Sequence, residues 1–308
     1  MDKHDKVNET NLGTRVDIDL SGIDPGSLKR LEMTVECRDC DYIDKVAGAG
    51  EVFDDRGLRY QLMHNGVRVL AGLYCGYWTA EIIRRLKGHH EPQEEKVFHE
   101  ILKHINAGST MIELGSFWAY YSLWFQKAIP NARLYLIEPD PNSLGVGQYN
   151  FVLNSAKGKF YQYSVGERPL ASVPFRCESD IIMRDVEQVS VDSFVEREQI
   201  ERIELLLCDI QGAELEMLKG AQATIKSGKL RFLVLSTHHQ HHSGDPLTHE
   251  KCLQFVREHN GHVLACHDVS QSYSGDGLIV ASFDERDKTI PEVSISMNRP
   301  ENSLFGVN

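Results

Sequence analysis

A doubly wound α/β fold with a mostly parallel, seven-stranded sheet is predicted by three features of this sequence. Short apolar runs recur between helix-length segments from Glu91 onward. A strand-to-helix turn carries a single glycine at Glu113-Leu114-Gly115-Ser116. Near residue 88 the pattern changes, setting off a β-rich N-terminal extension. Strands that alternate with helices imply right-handed crossovers and a sheet covered on both faces. Ligands of such sheets sit beyond the carboxyl ends of the strands, at the point where strand order reverses.

The elements follow in chain order. Within residues 1–88, Leu58-Arg59-Tyr60-Gln61-Leu62-Met63 and Val67-Arg68-Val69-Leu70 alternate in polarity around Asn65-Gly66, which predicts a β-hairpin. A helix is expected over 92–105, with Pro92 at its start, Val97, Ile101, Leu102 and Ile105 on one face, and Gly108 beyond its end. Apolar strands are expected at 111–114, 134–137, 160–165, 205–208, 232–235, 262–265 and 278–281. Residues 89–285 form the expected catalytic domain, and 286–308 are expected to be a loosely held polar tail.

Composition narrows the partners. The 308 residues include 33 basic and 45 acidic side chains, a net charge of −12, without a long basic run, which disfavours nucleic acid. No apolar run approaches the length of a membrane span. The polar start Met1-Asp2-Lys3-His4-Asp5 does not resemble a secretion signal, and a cytoplasmic location is expected. Seven cysteines, mostly isolated in apolar segments, read as reduced core thiols, and the pair Cys37 and Cys40 lacks the second pair that a zinc ribbon needs. The oligomeric state is left open.

The turn after the first strand of the catalytic domain sets the cofactor. A dinucleotide pyrophosphate needs a second glycine for close backbone approach, but Phe117 and Trp118 occupy that stretch, so a nicotinamide reductase is disfavoured. A nucleoside without phosphates has no such need. Gly115 and Ser116 allow the turn, and Glu113 can meet the ammonium of a methionine moiety, which is the chemistry of S-adenosylmethionine. Glu138, in Glu138-Pro139-Asp140 at the end of the next strand, lies about 20 residues beyond the glycine, where an acid accepts from ribose hydroxyls. Ser164 to Glu167 would face the adenine amine, with Val165 and Gly166 in contact.

At this point the residues are similar to a known family. The segment Leu205-Leu206-Leu207-Cys208-Asp209-Ile210-Gln211-Gly212-Ala213-Glu214, with Val191-Asp192-Ser193-Phe194 before it and Asp276-Gly277-Leu278 after it, resembles the FkbM-type methyltransferases. The resemblance implies a Rossmann-like, class I S-adenosylmethionine fold and methylation of hydroxyls on sugars, glycans or secondary metabolites. The chain departs from the family's cofactor turn at Glu113, Phe117 and Ala119, where the family usually carries aspartate, asparagine and glycine. The crowded Phe117-Trp118 turn also motivates a different class of function, a non-catalytic binding protein on the same fold.

Two further strand ends carry chemistry. Asp209 directly follows an apolar strand and is expected beside the sulfonium, with Gln211 next to it; Glu214 also suits the dipole of the following helix. The fifth strand runs into Ser236-Thr237-His238-His239-Gln240-His241-His242. An aliphatic hydroxyl attacks faster when a base removes its proton, and His238 or His239, facing Asp209, is the expected base. The competing reading makes Asp209 with one of these histidines a divalent metal site.

Overall fold

A computed structural model describes residues 12–305. The N-terminal part comprises β1 (Thr14–Val16), α1 (Pro25–Thr34), β2 (Val52–Asp55), β3 (Leu58–Leu62), β4 (Arg68–Leu70) and α2 (Tyr77–Arg85). The four strands form an antiparallel sheet in the order β1-β2-β3-β4. The expected hairpin is β3 with β4, pairing Tyr60 with Leu70 and Leu62 with Arg68. Asp24 begins α1 by accepting from the Gly26 and Ser27 N–H groups, with Pro25 in the first turn where its missing N–H costs nothing.

The outer edge of β4 is not left bare. It meets α5 (described below), whose Asn150 and Asn154 side-chain oxygens accept from the Leu70 and Arg68 N–H groups at 2.8 and 2.9 Å. Unpaired edge amides are otherwise a template for misassembly.

The second part begins with α3 (Pro92–Leu102), β5 (Thr110–Leu114), α4 (Tyr120–Ala128), β6 (Arg133–Ile137), α5 (Pro141–Leu153) and β7 (Lys159–Tyr161). It continues through β8 (Tyr163–Val165), β9 (Leu170–Arg176), β10 (Met183–Val189), α6 (Val191–Arg197) and β11 (Ile203–Cys208). The remaining elements are α7 (Glu214–Lys219), α8 (Gln222–Lys226), β12 (Leu230–Thr237), α9 (Gln240–Ser243), α10 (Thr248–Glu258), β13 (His262–His267) and β14 (Gly277–Ser282).

The main sheet has seven strands in the order β13-β14-β12-β11-β5-β6-β7. All pairings are parallel except those of β14, which runs antiparallel to β12 and β13. Its strands bury both faces. On β11, Leu205 and Leu207 enter one core cluster while Ile203, Leu206 and Cys208 enter the other. On β12, Phe232 and Val234 alternate with Leu233 and Leu235 in the same way. This two-sided burial is why the central strands read as continuous apolar runs.

Two expectations need correction. The single strand predicted over 160–165 is broken at Gln162: β7 belongs to the main sheet, and β8 joins β10 and β9 in a separate three-stranded sheet. The sequence hides that second sheet because β9 has no buried residue and β10 buries only Val186 and Val189, so neither shows an apolar run. β9 is an edge strand, where Pro174 is tolerated. The polar C-terminal stretch, expected to be loosely held, is instead packed through residue 305. Val293 N–H donates to the Leu264 carbonyl, Ser296 N–H and Oγ–H donate to Asp39, and Asn298 bridges Gln271 and Ser272. Ile290, Val293 and Ile295 also pack against the core, so scattered apolar contacts and hydrogen bonds together anchor a stretch that has no periodic apolar run.

Among the described residues no helix is long and apolar enough to cross a membrane. All seven cysteines are free.

Candidate active site

The site is built where β5 and β11 lie side by side, the point at which strand order reverses. Asp209 N–H donates to the Leu114 carbonyl at 3.0 Å, and the Gly115 and Ser116 N–H groups donate to the Ile137 carbonyl at 2.9 and 3.0 Å. Gly115 has φ +75°, and a Cβ there would lie 1.7 Å from the Asp209 carbonyl oxygen. Both the backbone conformation and the contact demand glycine. Gly115→Ala is therefore expected to lower the melting temperature by about 10 °C or more and abolish cofactor binding, read by calorimetry of the purified variant.

Past Gly115 the backbone holds Phe117 at φ +36° and Ala119 at φ +59°. These are left-handed positions that side chains occupy at a cost of about 1–3 kcal/mol each. Ala119 takes the place of the family's glycine and begins α4 without a capping side chain. Glu113 supplies what the cap lacks. Its Oε2 accepts from the Ser122 N–H at 3.1 Å in the first turn of α4, which places the carboxylate against the positive end of that helix. Burial nevertheless pushes the Glu113 carboxyl up to about 8.

Glu138 spans two loops. Its Oε2 accepts from the Phe117 N–H at 3.1 Å and its Oε1 from the Asp140 N–H at 2.9 Å. Each oxygen keeps a further lone pair for a donor such as a ribose hydroxyl. Burial pushes this carboxyl up to about 7, with the two backbone N–H bonds acting in the opposite direction. Pro139, beside it, accepts from Gln162 Nε2 through its carbonyl at 3.3 Å.

Val165 and Gly166 belong with the small sheet rather than with the third main strand. They end β8 of the small sheet, Val165 packing on the apolar cluster that includes Ile112 and Phe194. Gly166 lies so close to the Gln188 side chain that a Cβ would meet it at 2.7 Å. The break after β7 puts Val165 in a different sheet from Tyr161, the last residue of the third main strand, and leaves it packed on the cluster that includes Leu114 and Ile137 at the ends of β5 and β6. The loop between β9 and β10 also reaches the strand ends. Ser179 N–H and Oγ–H donate to Asp140 at 2.9 and 2.7 Å, and Gln211 Nε2 donates to Glu178 at 3.1 Å. Gln211 itself is left-handed, with φ +53°.

The catalytic candidates separate. His238 lies between carboxylates: Nε2 is 3.1 Å from Asp209 Oδ1 and 3.7 Å from Asp276 Oδ1, and Nδ1 is 2.6 Å from Glu214 Oε1. Burial opposes its charge, but the field of Asp276 and the hydrogen bonds to Asp209 and Glu214 outweigh it, holding the imidazole protonated well above its usual range. Burial raises the Asp209 carboxyl, yet the His238 hydrogen bond and charge win and leave it below its ordinary value. His239 points the other way, stacked on Phe305 with ring centroids 4.0 Å apart. The structure thus brings together Asp209 and His238 but not His239.

Sequence reasoning missed three acids. Asp276 sits just before β14, paired with Arg30 of α1 at 2.9 Å. Glu91 and Glu94 lie at the start of α3, a place where acids are explained by the helix dipole alone. Glu94 accepts from Ser236 Oγ at 2.6 Å, and burial pushes it up to about 7. Burial, then the charges of Glu94, Asp209 and Asp276, push Glu91 well above the carboxylate range. The missed signal was an acid in a first helical turn whose neighbours Val97 and Phe98 are wholly buried.

Several acids thus surround few cations, and the buried Ser116 Oγ, Ser122 Oγ and Tyr121 hydroxyl lack partners. Spare donors and acceptors with excess negative charge fit a polar, cationic nucleoside such as S-adenosylmethionine, whose sulfonium and ammonium are both positive.

Numbered by themselves in chain order, the main strands follow 3-2-1-4-5-7-6 with the seventh reversed, and with the acid after strand two this defines a class I methyltransferase. The chain belongs to the methyltransferase FkbM domain family, whose model matches residues 100–263. It is accordingly a methyltransferase, with S-adenosylmethionine as its methyl donor. No curated protein sequence matches the chain. Similar solved structures include a precorrin-6y C5,15-methyltransferase from Geobacter metallireducens GS-15, at 14% identity over 61% of this chain and 87% of that one, with a TM-score of 0.40. Another is M. capricolum TrmK in complex with S-adenosyl-homocysteine, at 11% identity over 68% and 74%, with a TM-score of 0.37. The N-terminal domain of human METTL16 with S-adenosyl-homocysteine matches at 15% identity over 63% and 71%, with a TM-score of 0.40.

Proposed function

We propose that the chain is an O-methyltransferase acting on a hydroxyl of a sugar, glycan or secondary metabolite in the cytoplasm. The observation that carries this reading is the contact of His238 Nε2 with Asp209 Oδ1 at 3.1 Å across adjacent strand ends, with Glu214 fixing the other ring nitrogen. Glu214 orients the imidazole through Nδ1, while Nε2, held at Asp209, is the nitrogen at the strand ends that would exchange that contact for the acceptor hydroxyl. S-adenosylmethionine supplies an electrophilic methyl group. The chain's part is to anchor the ribose at Glu138, to hold the acceptor oxygen in line, and to take its proton at His238 Nε2.

With the carboxylates unopposed, His238 holds a proton and is not yet a base. A cation placed beside Asp209 disfavours that imidazolium, so cofactor binding itself readies His238. The net charge of −12 favours a small-molecule or glycan acceptor over nucleic acid.

A divalent metal held by Asp209 and His238 is the second reading, motivated by the carboxylates around that imidazole. Among the described residues, however, Asp209, His238 and Asp276 are not gathered as a set of mutually close ligand atoms. The test is calorimetry with S-adenosylmethionine, followed by transfer of labelled methyl to a panel of sugars and hydroxylated metabolites with and without a chelator. Stoichiometric binding and chelator-resistant transfer to oxygen are expected. Absence of binding, or transfer only to nitrogen or carbon, overturns the proposal.

A further inference from the structure

The enzyme site leaves unused a second cluster of ligating side chains, between the N-terminal part and α3. One donor atom each from Cys40, His89 and Glu95 lie within 4.8 Å of one another, the one such trio of cysteine, histidine or acid among the described residues. All three are buried, His89 and Glu95 completely.

The surrounding bonds are incomplete at one atom. The Glu95 carboxylate meets His89 Nδ1 on one oxygen, and on the other it meets His90 Nδ1 at 2.5 Å and the His90 N–H at 2.8 Å. His89 Nε2 is buried and has no hydrogen-bond partner. Leaving such a nitrogen unsatisfied costs about 1–3 kcal/mol. The Glu95 oxygen that meets Nδ1 cannot also reach an ion at Nε2, so an ion shared by Cys40, His89 and Glu95 takes the place of the hydrogen bond at Nδ1. Nearby, Cys40 Sγ has only a weak contact, 3.2 Å from the Pro92 carbonyl.

The chemistry of the donors selects the ion. Sulfur with nitrogen and a single carboxylate suits Zn²⁺ or a similar borderline cation, and disfavours the all-oxygen preferences of Mg²⁺ and Ca²⁺. A dication also answers a charge problem. Once the Cys40 thiol has lost its proton, the thiolate and the carboxylate are two anions that are costly to bury together unless a cation lies between them. The nearest ammonium, on Lys45, is already turned to the carbonyls of Cys40 and Ile43, at 2.7 Å each.

We propose that Cys40, His89 and Glu95 form a structural Zn²⁺ site that ties the N-terminal part to α3. Binding releases the Cys40 thiol proton to solvent as the Zn–S bond forms, with no change of oxidation state. The site lies behind the cofactor turn: His64 stacks on His89 with ring centroids 4.2 Å apart, and Nδ1 of His64 is 2.9 Å from the Tyr120 hydroxyl at the start of α4. The ion therefore supports the floor beneath α4 without touching substrate.

The experiment uses the full chain, stripped with a chelator under reducing conditions and titrated with Zn²⁺ and with Co²⁺. One equivalent of Zn²⁺ is expected to be retained through dialysis, measured by plasma mass spectrometry, with a rise of about 5 °C or more in melting temperature. Bound Co²⁺ is expected to show a thiolate-to-metal charge-transfer band. Cys40→Ser and His89→Gln should each weaken Zn²⁺ binding by about 100-fold or more, whereas Cys37→Ser should leave it unchanged. Retention of no metal, cobalt binding without the thiolate band, or loss of affinity in Cys37→Ser but not in Cys40→Ser overturns the proposal. The cobalt spectrum of the wild-type protein decides the matter even where a variant does not fold.

Discussion

Glu138→Ala is expected to raise the dissociation constant for S-adenosylmethionine by about 100-fold or more, measured by titration calorimetry. The magnitude follows from losing two hydrogen bonds to a charged acceptor, each worth about 1.5–3 kcal/mol. It follows also from freeing the Phe117 and Asp140 N–H groups that the carboxylate ties together. The same residue gives a pH signature. Its folded pKa, about 7, lies above the ordinary glutamate value, so the neutral form is the one the empty fold favours. The associated stability is fully present below about pH 4.5 and is lost as pH rises through 7, a loss of about 3 kcal/mol at completion. Glu94 and Glu113 shift in the same direction. The melting temperature of the cofactor-free protein should thus fall from pH 5 to pH 8, and less so with S-adenosylmethionine, whose donors and positive charge favour the carboxylate. A stability that climbs over that interval would refute the assignment.

His238→Asn should lower turnover by about 10²–10⁴-fold while leaving cofactor affinity within a few-fold of the wild type. His239→Ala, whose ring packs on Phe305 outside the acid cluster, should retain full turnover. The pH profile separates a base from a merely structural histidine. Because neighbouring carboxylates raise its pKa, the wild-type rate should climb with pH to a limb above the ordinary histidine range, and His238→Asn should lose that limb. The same shift stabilises the fold below about pH 6.5, and that contribution disappears as the imidazolium loses its proton. Removing the imidazole also leaves Glu214, wholly buried, with the Gly212 N–H at 2.7 Å but without the cation that balances its charge. A stability loss of about 3–5 kcal/mol is expected alongside, so turnover is to be compared at a temperature where the variant is folded. Equal pH profiles for the two proteins would remove His238 from the chemistry.

What the sequence made legible was whatever depends on apolar continuity. Leu205-Leu206-Leu207-Cys208 and Phe232-Leu233-Val234-Leu235 announced central strands because both their faces are buried, and the residues just after them were thereby located. Asp209 and His238 were found in this way. The small sheet left no such trace: Leu170–Arg176 is half in water along its length, so its pairing with Met183–Val189 rests on backbone bonds that any side chains permit. That omission also hid the sheet to which Val165 belongs. Asp276, Glu91 and Glu94 come from segments distant in sequence from the strand ends they approach, and a one-dimensional pattern does not report which helix terminus folds over which edge. Between His238 and His239 the sequence offered no choice; the two side chains differ in direction, one toward Asp209 and the other toward Phe305.

Asn150 of α5 bears on how this enzyme assembles. Its oxygen holds the Leu70 N–H at the rim of the N-terminal sheet while its amide nitrogen donates to the Trp118 carbonyl in the cofactor turn at 2.8 Å. One fully buried side chain is thus shared by two parts of the chain that sequence pattern would divide at residue 88. The two halves are therefore not interchangeable modules. A change of sequence in β4 that shifts its register is transmitted through Asn150 to the Phe117-Trp118 turn beyond β5, so the extension and that turn are constrained together.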